Sequence, residues 1–368
     1  MTTDFFRKSV YNPKILVSAA YLLILSSLAI LLLTLFMFST RKEPLKVKPE
    51  MVKAARTMQR AIDEIREYRR EKKIPINSML DPNHSGFIGE EFTPITTTLG
   101  NIEAKQTAVN PDFAALVLRW FSQIDLQPGD RVALQFSGSF PSLNIAAIIA
   151  CEVLQLEPLI SSSVGASSYG ANIPQFTYLD MENRLYTAGI IHHKSEWVTP
   201  GGNDDNGSSF WKGGDLLVRR AARQNGYVLK IPESLQESIK QKISFFRRNG
   251  PVKAFVNIGG NQAALGNCPH SPALPTGLIT AYPACRDKNR GLIMNYFEQN
   301  IPVIHLLDVR SLAKENGLPI APHPLPEPGS ADVYFRVNRS KSLALISVIT
   351  LFALMILLRR RLKQPLLP

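Results

Sequence analysis

Hydroxyls, glycines and carboxamides gather in three short segments of this chain, a mixture suited to holding a polar or anionic ligand. Segment 137–142 (SGSFPS) falls between an apolar run and a helical pattern. Small residues there let backbone N–H groups approach an anion, and the start of a helix adds a favourable dipole. Its candidates are Ser137, Gly138 and Ser139. Segment 161–172 (SSSVGASSYGAN) adds Gly165, Ser167, Ser168, Tyr169 and Asn172, and 257–262 (NIGGNQ) adds Asn257, Gly259, Gly260 and Asn261. The plainer reading makes each a tight turn from strand to helix. None matches the GxxxxGK[ST] phosphate loop, the GxGxxG dinucleotide fingerprint or the GxSxG hydrolase elbow.

Nucleophilic catalysis would draw on Ser137 or Ser139, with His192, His193 or His305 as base and Asp180, Asp204 or Asp308 to orient it. The spacing selects no triad. Glu90 and Glu91 form an alternative acid/base pair, although adjacent side chains usually point apart. The loop 201–207 (GGNDDNG) could offer Asp204 and Asp205 to a hard cation, but it lacks the terminal Glu of a calcium loop and reads more simply as a solvated turn. No metal or cofactor is expected. Of three cysteines, Cys151 lies in an apolar helical run, while Cys268 and Cys285 flank a Pro-rich loop that they would bridge in an oxidising compartment.

The elements that must position these groups follow one grammar. Apolar runs at 131–136 (RVALQF), 158–162, 254–258 (AFVNI) and 302–307 (PVIHLL) predict buried strands. Helical patterns fall at 144–156, 175–187, 214–224, 233–246, 289–299 and 309–315, and Asn110-Pro111 opens another through Trp120. This alternation predicts a doubly wound, mostly parallel α/β sheet, whose ligands bind where loops leave the C-terminal strand ends.

Residues 15–38 carry no charge and, at about 1.5 Å per residue, span a hydrocarbon layer of roughly 30 Å. The run exceeds the apolar core of a signal peptide and lacks a small-x-small ending, so it reads as an uncleaved transmembrane helix. Residues 343–358 form a second span, with Arg336, Arg339 and Lys341 before it and Arg359, Arg360, Arg361 and Lys363 after it. Between them, Val52, Ala55, Met58, Ile62 and Ile65 recur at helical spacing over 50–73. That amphipathic helix would pack on the domain, pair with another copy or lie on the membrane. The expected organisation is a tail (1–14), a span (15–38), linker and stalk (39–73), the α/β domain (74–335), a basic flank and span (336–358) and a tail (359–368). Short basic tails outweigh long loops in setting orientation, which places both termini in the cytoplasm and the domain outside it.

The formal charge of +12 has a definite address. The tails hold seven Lys/Arg against Asp4, residues 41–73 hold twelve against six acids, and residues 74–342 balance 23 against 23. Anionic lipid is therefore the simplest partner of the basic segments, and nucleic acid loses its main support. Arg219, Arg220 and Arg223, and the pair Arg247-Arg248, are local exceptions that also read as solvated helix surface.

The strings DPNHSGFIGEEFTPITTTLG, VNPDFAAL, ALQFSGSFPSLNIAA, VGASSYGANIPQFTYLDME and VNIGGNQAALG carry a resemblance over most of the chain. It resembles the poly-gamma-glutamate system protein family. The resemblance implies a place in a bacterial membrane apparatus that makes and exports poly-γ-glutamate, with other membrane subunits and the polymer as partners, and supplies no catalytic residues. Polymer synthesis needs ATP and a phosphate-binding motif, absent here, so an accessory part is expected. A binding or scaffolding subunit competes with a hydrolase or transferase acting through a strand-end serine.

Overall fold

The computed structural model describes residues 13–267, 274–280 and 290–363. In chain order it contains α1 (Pro13–Phe38), β1 (Thr40–Pro44), α2 (Lys48–Glu71), α3 (Ile102–Ala108), α4 (Asp112–Gln123), β2 (Arg131–Ser137), α5 (Pro141–Val153), β3 (Glu157–Ser163), β4 (Asn172–Ile173), β5 (Phe176–Thr177), α6 (Tyr178–Thr187) and β6 (Trp197–Thr199). Then follow α7 (Gly214–Gln224), α8 (Leu235–Arg247), β7 (Ala254–Ile258), α9 (Gln262–Leu265), β8 (Gly277–Ile279), α10 (Leu292–Phe297), β9 (Val303–Leu306), α11 (Val309–Glu315), β10 (Phe335–Arg339) and α12 (Lys341–Lys363). Contacts divide the chain into two units, residues 46–334 and the joined ends 1–45 with 335–368.

In the unit built from the ends, α1 and α12 pack together and β1 pairs antiparallel with β10, from Thr40 opposite Arg339 to Pro44 opposite Phe335. The sequence reading treated these two flanks as linker and basic collar and did not foresee the ladder. Tyr21–Phe38 and Lys341–Leu358 are long and apolar enough to cross a membrane, and both are unburied. Apolar side chains such as Leu23, Leu33, Ile346 and Phe352 stand exposed all round these helices, as lipid contact would allow.

The larger unit is a mixed α/β fold around a six-stranded sheet of order β6-β3-β2-β7-β9-β8, parallel except for the antiparallel edge strand β8. Its central strands are buried on both faces, which explains the apolar stretches Val132–Leu134, Leu159–Ile160 and Ala254–Val256. On one face, Ala133, Leu159, Phe255 and Val303 pack beneath Phe245 and Phe246 of α8 and Tyr296 of α10, with Tyr296 stacked on Phe255 at 4.6 Å between ring centres. On the other, α5 lies on β2 and β3, and α2 and α4 pack against it. Pro141 sits in the first turn of α5, where its missing N–H costs nothing.

The helix expected as a stalk is part of this unit. Met51, Ala54, Ala55, Met58, Ala61, Ile62 and Ile65 of α2 are all buried, so its apolar stripe is a core surface. Buried Arg69 donates to the carbonyls of Gly86, Ile88 and Pro75, pinning the following loop to the same helix. The segment read as turns and polar runs contains α3, capped by Asn101, whose side chain accepts from Ala104 N. Cys151 is buried and free, as read; Cys268 and Cys285, and with them the proposed bridge, lie outside the described residues.

Candidate ligand cleft at the strand ends

From β2 the chain builds the sheet in one direction through β3 to β6, then returns to the other side of β2 for β7 and β9. The crevice outside the C-terminal ends of β2 and β7 is therefore the switch point, where diverging crossovers leave room for a ligand. A cleft of about 760 Å³ opens there. Ser137, Ser139, Gly165, Ser167, Gly260 and Asn261 line it, so the structure brings the three sequence-predicted segments to one site.

The other six predicted ligand groups are not among its lining residues. Gly138 donates its N–H to Ser163 O at 3.0 Å, and a Cβ on it would meet Val164 O at 2.6 Å. Gly259 holds a left-handed φ of 85°, and a Cβ there would stand 3.0 Å from Ser137 Oγ. Both glycines let loops close on one another. Asn172 is a clasp: it accepts from Glu90 N and donates to Glu90 O and Thr96 Oγ1. Backbone bonds join Ser168 to Thr98 and Tyr169 to Glu90. Asn257 lies one rung below the cleft floor.

That lower rung is unusual. Ser161, Gln135, Asn257 and His305 stand in register across β3, β2, β7 and β9. All four are fully buried, and Ser161 Oγ, Gln135 Oε1, Asn257 Oδ1 and His305 Nε2 have no hydrogen-bond partner among the described residues. Asn257 Nδ2 donates to His305 Nδ1 at 3.0 Å, so Nε2 carries the hydrogen, and burial pushes the imidazole down to about 4.

The serine triads do not assemble. His192 and His193 both hold Glu152, with ring nitrogens at 3.2 and 2.9 Å from its carboxylate. Glu152 is in the last turn of α5, about 15 Å along that helix from Ser142 at its start. Asp180 forms the capping box of α6 with Thr177, and Asp308 caps α11 while its residue lines the cleft. Glu90 and Glu91 are exposed and outside the lining. Ser137 Oγ accepts from Ser139 N within its own loop, and Ser139 Oγ accepts from Ser167 N across two loops, each at 3.0 Å.

Asp204 and Asp205 do not form a cation loop either. Asp205 turns inward, 2.7 Å from Lys242 Nζ, with Thr199 Oγ1, Ser238 Oγ and Asn261 Nδ2 donating to it. The lysine ammonium already supplies the positive charge. Among the described residues no group of three acidic, histidine or cysteine side chains could hold a metal ion.

Sequence reasoning missed the opposite wall, formed by residues 97–101 and by Lys105 on α3. Lys105 is only 4% exposed and lines the cleft. Its Nζ donates to Ser139 O and, at 2.8 Å, to Ser167 Oγ, and lies 3.7 Å from the centre of the Phe140 ring. Among the described residues no carboxylate pairs with it, and burial pulls it down to about 7. Arg310 lines the rim and pairs with Glu103 on α3 at 2.9 Å, with both side chains about half exposed.

No family model, curated protein or solved structure matches this chain.

Proposed function

We propose that this chain is a two-span, membrane-anchored accessory subunit of a bacterial poly-γ-glutamate biosynthesis and export system. Both termini lie in the cytoplasm, and the doubly wound soluble unit on the outer face holds a stretch of the polymer in its strand-end cleft, beside partner subunits in the membrane. The observation that carries the binding role is the convergence of three Ser/Gly/Asn loops on one open cleft at the switch point. The polymer's identity rests on the resemblance.

The lining chemistry supports the reading. Poly-γ-glutamate presents a backbone amide and a free carboxylate in every residue. The cleft offers carboxamides from Asn101, Asn203, Asn261 and Gln262, hydroxyls from Ser137, Ser139 and Ser163, and the Arg310 guanidinium at its rim. Recognition by neutral hydrogen-bonding groups suits a soluble domain whose charges balance.

Gly260 provides the test. A Cβ there meets nothing closer than Leu307 Cδ1 at 3.8 Å, and its φ is not left-handed, so Gly260→Tyr enters the cleft without backbone strain. Titration calorimetry of the detergent-solubilised full chain should show binding of a γ-linked oligoglutamate in preference to the α-linked oligomer of equal charge. Gly260→Tyr should weaken that binding about tenfold or more, a loss of about 1.4 kcal/mol. Equal affinity for both linkages, or for the variant, rejects the reading. A second reading, a hydrolase or transferase acting through a strand-end serine, is favoured by one contact, the Lys105–Ser167 hydrogen bond.

A further inference from the structure

Lys105 differs from an ordinary buried lysine in what surrounds it. Among the described residues its polar and aromatic contacts are a carbonyl, a hydroxyl and an aromatic face, with no acid among them. A neutral amine fits this environment as well as an ammonium does. It keeps two N–H bonds, for Ser139 O and the Phe140 ring, and turns its lone pair toward Ser167 Oγ. The serine hydrogen then lies on the line to nitrogen, the geometry of a hydroxyl activated by an adjacent base.

We propose that Ser167 is a nucleophile activated by Lys105, and that the pair cleaves an amide held in the strand-end cleft through an acyl-serine intermediate. The choice of a γ-glutamyl amide as substrate rests on the polymer-binding reading above. The chemistry does not. Ser167 Oγ adds to the amide carbonyl carbon while its proton passes to Lys105 Nζ. The C–N bond then breaks as the Lys105 ammonium protonates the leaving nitrogen, giving an ester on Ser167 and a free amine. Water attacks the ester and gives a proton to Lys105; that proton returns to Ser167 Oγ as the carboxylic acid leaves.

The loops fix this pair from both sides. Ser167 N donates to Ser139 Oγ at 3.0 Å, which sets the serine backbone against the β2–α5 loop. Gly100 closes over it: a Cβ at Gly100 would stand 2.3 Å from Ser168 O and 3.2 Å from Ser167 Oγ. Lys105 is held between Ser139 O and the Phe140 ring at the start of α5. Ser167 and Lys105 both line the cleft, so a bound acyl group reaches the hydroxyl. This places the nucleophile one loop away from Ser137 and Ser139, and the base on a helix with no histidine.

A fluorophosphonate probe, which forms a covalent adduct with base-activated serines, tests the proposal on the full chain in detergent. Peptide mass spectrometry should find the adduct on Ser167, formed at a rate that rises with pH through a midpoint near 7. Ser167→Ala should abolish that adduct. Lys105→Arg retains a cation that cannot lose its proton, and should slow labelling by about a hundredfold or more. Lys105 also ties loops together, so its variant is compared at matched thermal midpoint; the wild-type pH profile needs no variant. Absence of a Ser167 adduct at pH 8, a pH-independent rate, or undiminished labelling in folded Lys105→Arg overturns the proposal. Binding of γ-linked oligoglutamate to Ser167→Ala separates the two readings. An adduct without polymer binding keeps the nucleophile and removes the polymer as its substrate, whereas binding without an adduct keeps the cleft and removes the chemistry.

Discussion

Asp112 and His305 show how single buried groups give this protein a pH dependence of mixed sign. Asp112 is fully buried at the start of α4, where it accepts a hydrogen bond from Tyr334 OH and faces the backbone N–H of Gly329. Burial pushes its carboxyl up to about 6. The folded chain therefore holds that proton more tightly than the unfolded chain, and this stabilisation is lost as pH rises through about 6. His305, pushed down to about 4, acts in the opposite sense: the unfolded chain takes up its proton first, and stability falls as pH drops from about 6.5 toward 4. The two offset each other in the overlap. Asp112→Asn keeps an acceptor for Tyr334 while removing the buried charge. It should raise unfolding free energy at pH 7.5 by about 1–2 kcal/mol and steepen the loss of stability between about pH 6 and 4. Urea titrations of the full chain across pH measure both. An unchanged midpoint at pH 7.5 would remove the buried charge as the cause.

Residue identity alone did not announce Lys105. It sits in a seven-residue helix, IEAKQTA, whose composition matches any solvated surface helix, and its meaning arises from two loops more than thirty residues away in sequence. The histidines misled for the converse reason: a titratable ring draws notice in a sequence, yet His192 and His193 share one carboxylate at the far end of α5.

At the level of elements, legibility followed length and burial. The runs of β2, β3, β7 and β9 were readable because strands covered on both faces place β-branched and other apolar residues next to one another, as in Val132–Leu134, Ala254–Val256 and Val303–Ile304, although a buried polar rung crosses all four. The edge strands β6 and β8, three residues each, are too short to show a period, and β8 runs antiparallel. The periodicity of α2 was plain, but periodicity shows that a face is buried and not what buries it. α2 packs on α4 and α5, and with Met58 and Ile62 buried it is a core layer. The three ligand loops were legible as strand-end segments. Which of their residues face the cleft was not: Gly138, Gly259 and Asn172 serve loop-to-loop closure that only the folded contacts define.

For the whole molecule, the charge map and the fold divide the labour. The unit built from the ends, residues 1–45 and 335–368, holds twelve Lys/Arg against two acids, while residues 46–334, which carry the cleft, hold 30 against 28 and are close to balance. That division fits a protein whose ends meet anionic lipid and whose soluble unit meets a hydrogen-bonding ligand. Externally added protease should digest the soluble unit of intact cells once the wall is removed; full protection would place it in the cytoplasm. The central claim, that the strand-end cleft receives the polymer, is tested most directly by hydrogen–deuterium exchange of the full chain with and without γ-linked oligoglutamate. The account predicts slowed exchange in residues 97–105, 137–140, 165–168 and 259–262 together. No slowing in the four cleft segments, or slowing confined to residues outside them, would contradict it.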